Sequence, residues 1–239
     1  MKWDRSKGRP EPIRSLNRIR ELENGEPLVN INGAAPSLVP LRAGTLTWCR
    51  HRVAEMAEMA ARSLPRGFRL GYSEAWRPIL RQRMIYEFMW AKLEEARPGL
   101  DYKTKRRIVC RYVAPVDQKA PPGHCTGAAL DVYLRNEAGE QLDLIAPYTR
   151  FQASPTYVFG LEPSAQEHRN ILVRAMLDAG FSNCRDEFWH YSFGDAGWAV
   201  RMGLQECPYG LIELDLAHWA DNQRAWEEAL KDRPNPFLS

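Results

Sequence analysis

Two short stretches of the chain carry side chains that could together hold a metal ion. The first places His124 seven residues before Asp131, and the second, about 55 residues further on, places Glu187 three residues before His190. A hydrolytic zinc ion needs three protein ligands, a fourth position open for water and a nearby base. The pattern therefore predicts one zinc ion (Zn2+) per chain, bound by His124, Asp131 and His190, with Glu187 as the general base.

The sequence around the first pair indicates how its two side chains could converge. Gly127 follows His124 by three residues and permits a tight turn between the two candidate ligands. Residues 128–134 alternate as a strand does, which places Asp131 and Tyr133 on one face and three apolar side chains on the other. We therefore expect Asp131 to project from the face opposite the buried one, and His190 to reach it from a neighbouring strand.

The second stretch has to bend if both of its polar side chains are to act at one ion. In an extended chain, side chains three residues apart leave opposite faces. A bend at residues 188–189 is therefore predicted to bring the Glu187 carboxylate beside the metal centre.

Arg77, which precedes Pro78 at a predicted helix start, is a candidate catalytic residue. A fixed guanidinium could stabilise the oxyanion of a tetrahedral intermediate. The alternative is that Arg77 only braces a carboxylate.

Composition excludes several classes of protein. The 239 residues are 44% apolar, which is enough for a buried core, and 33 basic against 30 acidic residues give a net charge of only +3. That balance predicts no nucleic-acid partner, and no apolar run is long enough to predict a membrane partner. Residues 1–10 lack the apolar segment of a secretory signal, and five cysteines without CxxC spacing fit a reducing compartment, so we expect a cytoplasmic protein. Cys125 is expected to point away from the metal.

Apolar periodicity and turn residues predict the elements that must position these groups. Strands are expected at residues 28–31, at 67–72, at 128–134 and within 181–193. Helices are expected at residues 45–64, 79–95, 164–179 and 214–231, the third of them opened by a capping box at residues 164–167. Residues 146–163, with three prolines, read as a long loop. The polar residues 1–26 are expected to form an arm on the surface, and residues 27–239 a single domain.

The motifs resemble those of a known family. The patterns HxxGxAxD and ExWH, preceded by YxxxxRP and found in this order within roughly residues 25–205, are similar to those of the zinc D-alanyl-D-alanine dipeptidases, whose best-known members serve in vancomycin resistance. The resemblance implies a Hedgehog-like α+β fold with a central, mainly antiparallel sheet and flanking helices. It also implies the same three zinc ligands, Glu187 as the base, Arg77 as the group that stabilises the transition state, and a small peptide, D-alanyl-D-alanine, as the substrate.

Two positions depart from the family pattern. Pro122 stands where the vancomycin-resistance enzymes have a serine, and Gln152 aligns with an aspartate that grips the free amine of the dipeptide. Gln152 is therefore the candidate substrate-binding residue, although it lacks the charge that would attract an ammonium group. Two alternatives stay open: a D,D-carboxypeptidase or peptidase acting on longer peptidoglycan stem peptides, and a catalytically silent zinc-binding module. The presence of Glu187 argues against the second, since a structural zinc needs no base.

Overall fold

Strands and helices are interspersed along the chain in the computed structural model, which describes residues 11–42 and 44–238. The strands are β1 (Arg20–Glu21), β2 (Leu28–Asn30), β3 (Leu38–Pro40), β4 (Trp48–Arg50), β5 (Phe68–Glu74), β6 (Ala129–Asn136), β7 (Ser182–Asn183), β8 (His190–Ser192) and β9 (Glu206–Cys207). The helices are α1 (Ile13–Leu16), α2 (Ile31–Ala34), α3 (His51–Arg62), α4 (Ile79–Ala96), α5 (Tyr102–Val109), α6 (Pro163–Asp178), α7 (Ala196–Met202) and α8 (Ala220–Lys231). The predicted α+β class is confirmed.

A five-stranded sheet forms the centre of the fold. Its strand order is β3-β5-β6-β8-β7, and only the β3–β5 pair is parallel, so the prediction of a mainly antiparallel sheet is confirmed. The register of β5 against β6 shifts between Tyr72 and Glu74, which leaves Glu74 opposite Asp131. Such an irregularity re-aims the side chains at the end of a strand.

The main hydrophobic core covers one side of this sheet. Leu130, Val132 and Leu134 alternate along β6, are fully buried, and belong to the same apolar cluster as buried residues of α3 and α6. The buried residues of α3 recur at helical spacing, at Val53, Met56, Ala57 and Ala60. Burying a large aliphatic side chain contributes about 1.5–3 kcal/mol, so this packing fixes which face of β6 is left for Asp131.

Several predicted elements differ from those observed. The helix expected at 45–64 begins only at His51, because Trp48–Arg50 pairs as β4 with β2. The prediction of a capping box at Ser164 is wrong. Helix α6 begins at Pro163, and proline is well suited to the first helical position. The N-cap residue is Glu162, which forms no side-chain hydrogen bond to the helix. The last helix starts at Ala220 rather than at residue 214. Residues 181–193 divide into β7 and β8 around a turn.

The described part of the N-terminal arm packs against α7 and β9, which lie near the other end of the sequence. Strand β1 pairs in parallel with β9, and Ile19 lies in a small apolar cluster with Ala196, Ala199 and Cys207. Residues 1–10 of the predicted arm lie outside the described residues, and the boundary at residue 26 stays a prediction. Among the described helices, none combines the length and apolarity that crossing a membrane requires.

Candidate metal centre

His124 is held by a single tight turn. It lies in a 3-10 turn, Gly123–Thr126, that ends at Gly127, whose φ of 71° is in the left-handed region. A Cβ at Gly127 would clash with the Leu28 side chain. The Nδ1 atom of His124 lies 2.8 Å from the carbonyl oxygen of Ala75. Because a carbonyl only accepts hydrogen bonds, Nδ1 is the donor in this contact, and Nε2 is the nitrogen that faces Asp131.

Asp131 and His190 lie opposite each other on adjacent strands. Their Cα atoms are partners in the β6–β8 register. The Oδ1 atom of Asp131 is 3.0 Å from Nδ1 of His190 and 3.2 Å from Nε2 of His124. The two imidazole rings are nearly perpendicular, with centroids 4.9 Å apart. One donor atom from each of the three residues lies within 4.8 Å of the other two.

These separations fit a small divalent cation. Two ligands at about 2.0–2.1 Å from a tetrahedral zinc are about 3.3 Å apart, close to the two distances measured to Asp131. Burial alone would raise the pKa of Asp131, but His124 and His190 hold it well below its usual range, so the carboxylate is ionised. Two imidazole nitrogens and one carboxylate oxygen form a donor set typical of catalytic zinc. The residues present therefore fit the metal that the sequence predicts.

Glu187 lies beside this group without belonging to it. The bend predicted at residues 188–189 is present as a turn, and the amide of His190 donates to the Glu187 carbonyl at 3.1 Å. Burial raises the pKa of the Glu187 carboxyl, the charges of His190 and His124 lower it, and that of Asp131 raises it. The Glu187 carboxyl is near enough to be affected by the charges of all three candidate ligands, yet it is absent from the set of donor atoms, as a candidate general base should be.

The turn that carries Glu187 is held by a residue that the sequence did not single out. The side-chain amide of Asn183 donates to the carbonyls of Glu187 at 3.3 Å and of His190 at 3.0 Å. The hydroxyl of Thr156 donates in turn to the Asn183 carboxamide oxygen. Asn183 in β7 has no recognisable motif in the sequence, because its role depends on contacts with a distant loop.

Arg77 is fixed by two partners. Its Nη2 atom is 3.2 Å from Oε2 of Glu74, and its Nη1 donates to Oε1 of Gln82 at 2.6 Å. Gln82 is itself held by donation to the Ala114 carbonyl at 2.7 Å. The Nε of Arg77 is buried and has no hydrogen-bond partner among the described residues. The guanidinium thus has a fixed position and an unused donor.

Glu74 was missed by the sequence reasoning. Burial raises the pKa of its carboxyl, but Arg77 and His124 lower it more, so the net shift is downward. Its position opposite Asp131 also places it at the end of the sheet that carries the candidate ligands. A signal was available: Glu74 is an acidic residue two residues after the strand predicted at 67–72 and three residues before the candidate arginine.

The remaining candidates lie apart from these contacts. Gln152 is exposed in the loop before α6, and its Oε1 accepts from the Thr149 amide of the same loop at 3.1 Å. Its assignment to substrate binding stays a prediction. Cys125 is buried and does not belong to the set of donor atoms; burial raises the pKa of its thiol to about 12.

Fold and site together define an α+β protein with a candidate metal centre at one end of a mainly antiparallel sheet. The chain belongs to the D-ala-D-ala dipeptidase family, whose sequence profile matches residues 47–206. It is 29% identical over 148 residues to a D-alanyl-D-alanine dipeptidase of Synechocystis sp., covering 53% of this chain and 60% of that protein. It is 33% identical over 82 residues to a D-alanyl-D-alanine dipeptidase of Escherichia coli K12, covering 34% of this chain and 42% of that protein. The matches span less than two thirds of these relatives.

Proposed function

We propose that this protein is a zinc-dependent D,D-dipeptidase that hydrolyses D-alanyl-D-alanine. The observation that carries the proposal is the meeting of His124, Asp131 and His190, with Glu187 beside them as an uncoordinated carboxylate. Membership of the D-ala-D-ala dipeptidase family supports the choice of substrate. We also propose that the protein acts in the cytoplasm, as its composition predicts.

In this mechanism His124, Asp131 and His190 would hold the zinc. When bound, the zinc ion supplies Lewis acidity that polarises the scissile carbonyl and acidifies water. The Nδ1 contact of His124 with the Ala75 carbonyl keeps its Nε2 facing Asp131, and Asp131 would supply the single negative charge of the ligand set.

Glu187 handles the protons. It accepts one proton from water as the water oxygen bonds to the carbonyl carbon, and it returns that proton to the leaving nitrogen as the C–N bond breaks. A positioned base of this kind contributes about 10²- to 10⁴-fold in rate. Its burial favours this role, since a raised pKa makes the carboxylate a stronger base.

Arg77 stabilises the negative charge that develops on the former carbonyl oxygen. Glu74 and Gln82 hold the guanidinium in place before the reaction begins. The negative charge on the oxygen therefore develops beside a hydrogen-bond donor that does not have to move. This role and the bracing of a carboxylate are compatible, because the guanidinium has donors to spare.

The proposal is tested by incubating the zinc-loaded protein with D-Ala-D-Ala, L-Ala-L-Ala and a stem pentapeptide ending in D-Ala-D-Ala, and measuring free alanine. We expect release from D-Ala-D-Ala and none from the L,L-dipeptide. Cleavage of the pentapeptide alone would replace the dipeptidase by a D,D-carboxypeptidase. If the zinc-loaded protein cleaves none of the peptides, the alternative of a catalytically silent zinc-binding module would be supported.

A further inference from the structure

Arg50 is a buried arginine that holds the turn carrying His124. Its side chain is 0% exposed, and its Nε donates to the carbonyl oxygen of Thr126 at 2.8 Å. The backbone amide of Arg50 donates to the carbonyl oxygen of Gly127 at 2.9 Å. Two successive carbonyl groups at the end of the turn are therefore fixed by one residue, which is not itself among the candidate metal donors.

Arg50 is in turn held by the N-terminal arm. Its Nη1 and Nη2 atoms donate to the two carboxylate oxygens of Glu23 at 3.0 and 2.7 Å, which is the bidentate geometry that fixes a guanidinium most firmly. The other acceptors of the guanidinium are the backbone carbonyls of Thr126, Glu26 and Gly210. Removing the charge of Glu23 would therefore leave a buried cation with neutral partners, a situation that favours its displacement.

A second buried arginine, Arg201 of α7, holds the strand that carries His190. Its side chain is also 0% exposed, and its Nη1 donates to Oε1 of Glu11 at 2.7 Å. Its Nε donates to the hydroxyl oxygen of Ser182 at 2.8 Å, and its Nη2 donates to that of Ser192. These two serines are partners in the β7–β8 register, and Ser192 lies two residues after His190. Arg201 therefore fixes β8 close to its metal-ligand candidate.

A buried carboxylate connects the two histidine segments. Asp195 is 2% exposed, and its Oδ1 accepts from the Ser192 hydroxyl at 2.8 Å. Its Oδ2 packs against the first residue of the His124 turn, because a Cβ at Gly123 would clash with it. In a closely packed interior, a shift of β8 would therefore be felt by the turn as well.

The two glutamates that neutralise these arginines belong to one segment. Glu11 and Glu23 lie near the two ends of the described arm, before residue 47, where the match to the family profile begins. Between them, Ile19 is buried in an apolar cluster and β1 pairs with β9, so the arm is attached independently of either glutamate. Neither carboxylate is among the candidate metal donors. The arm thus reaches both histidine segments from outside the metal centre.

We propose that the N-terminal arm sets the affinity of the metal centre for zinc. Its two glutamates are positioning residues: each neutralises one buried arginine, and each arginine holds one of the two segments that carry histidine ligands. The inference rests on the proposed function, which places zinc at these ligands. Groups that orient metal ligands from outside the donor set commonly change metal affinity about 10- to 100-fold. Because coupling between two sites is reciprocal, bound zinc should also hold the arm more firmly.

The test measures the Kd for zinc by competition with a chromogenic chelator, at a temperature where circular dichroism shows every variant folded. We expect Glu11→Gln and Glu23→Gln each to bind zinc about 10-fold more weakly, the lower end of the range for such groups. Glu23→Asp, which keeps the charge, should recover part of the loss. Arg20→Gln is the matched control, because it breaks an exposed ion pair between the arm and Glu206 of β9 and should leave the Kd unchanged.

A purely structural role for either glutamate would lower Tm and leave the Kd of the folded protein unchanged, and that result would overturn the role proposed for that residue. Trypsin gives a second readout: zinc should slow cleavage after the exposed Arg14 and Arg18 of the arm, and rates that zinc does not change would overturn the coupling. Zinc bound equally well by the wild type and both variants refutes the inference alone. A wild-type protein that binds no zinc refutes the proposed metal site and the inference together.

Discussion

Replacing Glu74 by glutamine should weaken both the fold and the chemistry without disturbing the metal. The carboxylate lies 3.2 Å from the Arg77 guanidinium, and the two side chains are only 21% and 14% exposed. Glutamine keeps the shape and one hydrogen bond but removes the charge. The difference between a charged and a neutral hydrogen bond is about 1–2 kcal/mol, which corresponds to a fall in Tm of about 2–8 °C for a chain of this size.

The effect of Glu74→Gln on catalysis follows from the position of Arg77. With only Gln82 holding it firmly, the guanidinium can move from the place where negative charge develops, and a displacement of about 1 Å can cost about 10²-fold in rate. We expect kcat on D-Ala-D-Ala to fall about 10- to 100-fold with little change in KM, while zinc content stays at one per chain because Glu74 is not among the three donors.

Calorimetric melting, steady-state kinetics and elemental analysis of the same preparation give the three readouts. Glu95→Gln is the matched control, because Glu95 forms an exposed pair with Lys92 at 3.0 Å and should be neutral in all of them. A Glu74→Gln protein with wild-type kcat would show that Arg77 needs no carboxylate to act, and loss of zinc from it would show that Glu74 supports the ligands directly.

Other predictions concern the turn, the arm and the metal. Gly127→Ala should destabilise the fold by about 1–3 kcal/mol in urea unfolding, because alanine is strained at positive φ and its Cβ would clash with Leu28; an unchanged midpoint would contradict this. Burial raises the pKa of Glu23, but its bonds to Arg50 and to the Gly210 amide lower it more, so the net shift is downward. Its contribution to stability is therefore complete above about pH 4.5 and is lost as the pH falls further, and Glu23→Gln should flatten the dependence of Tm on pH in that range. Zinc should raise the stability by about 2.7 kcal/mol at 100 times its Kd, and a chelator should reverse the gain; a Tm unaffected by either would count against a bound metal.

The sequence predicted the candidate ligands because each depends on local chemistry. Gly127 marks the turn, the alternation along 128–134 fixes the face of Asp131, and the need for a bend locates Glu187. The β6–β8 pairing that brings His190 opposite Asp131 is observed as the spacing suggests.

What the sequence could not supply depends on distant partners. The sequence of Trp48–Arg50 is compatible with the start of a helix. These residues form a strand because Leu28–Asn30, 20 residues earlier, pairs with them. Helix α6 begins at Pro163 and not after a capping box at Ser164. The two signals are adjacent in the sequence, and a helix can begin at only one of them. Asn183 and Gln82 join segments far apart in the chain, so no local pattern reveals them.

The most direct test of the central claim compares two single variants of the metal centre. Zinc content and turnover of D-Ala-D-Ala should be measured for Asp131→Ala and Glu187→Gln in parallel. We predict that Asp131→Ala loses both the zinc and the activity, whereas Glu187→Gln keeps one zinc per chain and loses about 10²- to 10⁴-fold in kcat. Loss of zinc from Glu187→Gln, or full turnover by it, would contradict the assignment of one free carboxylate to proton transfer.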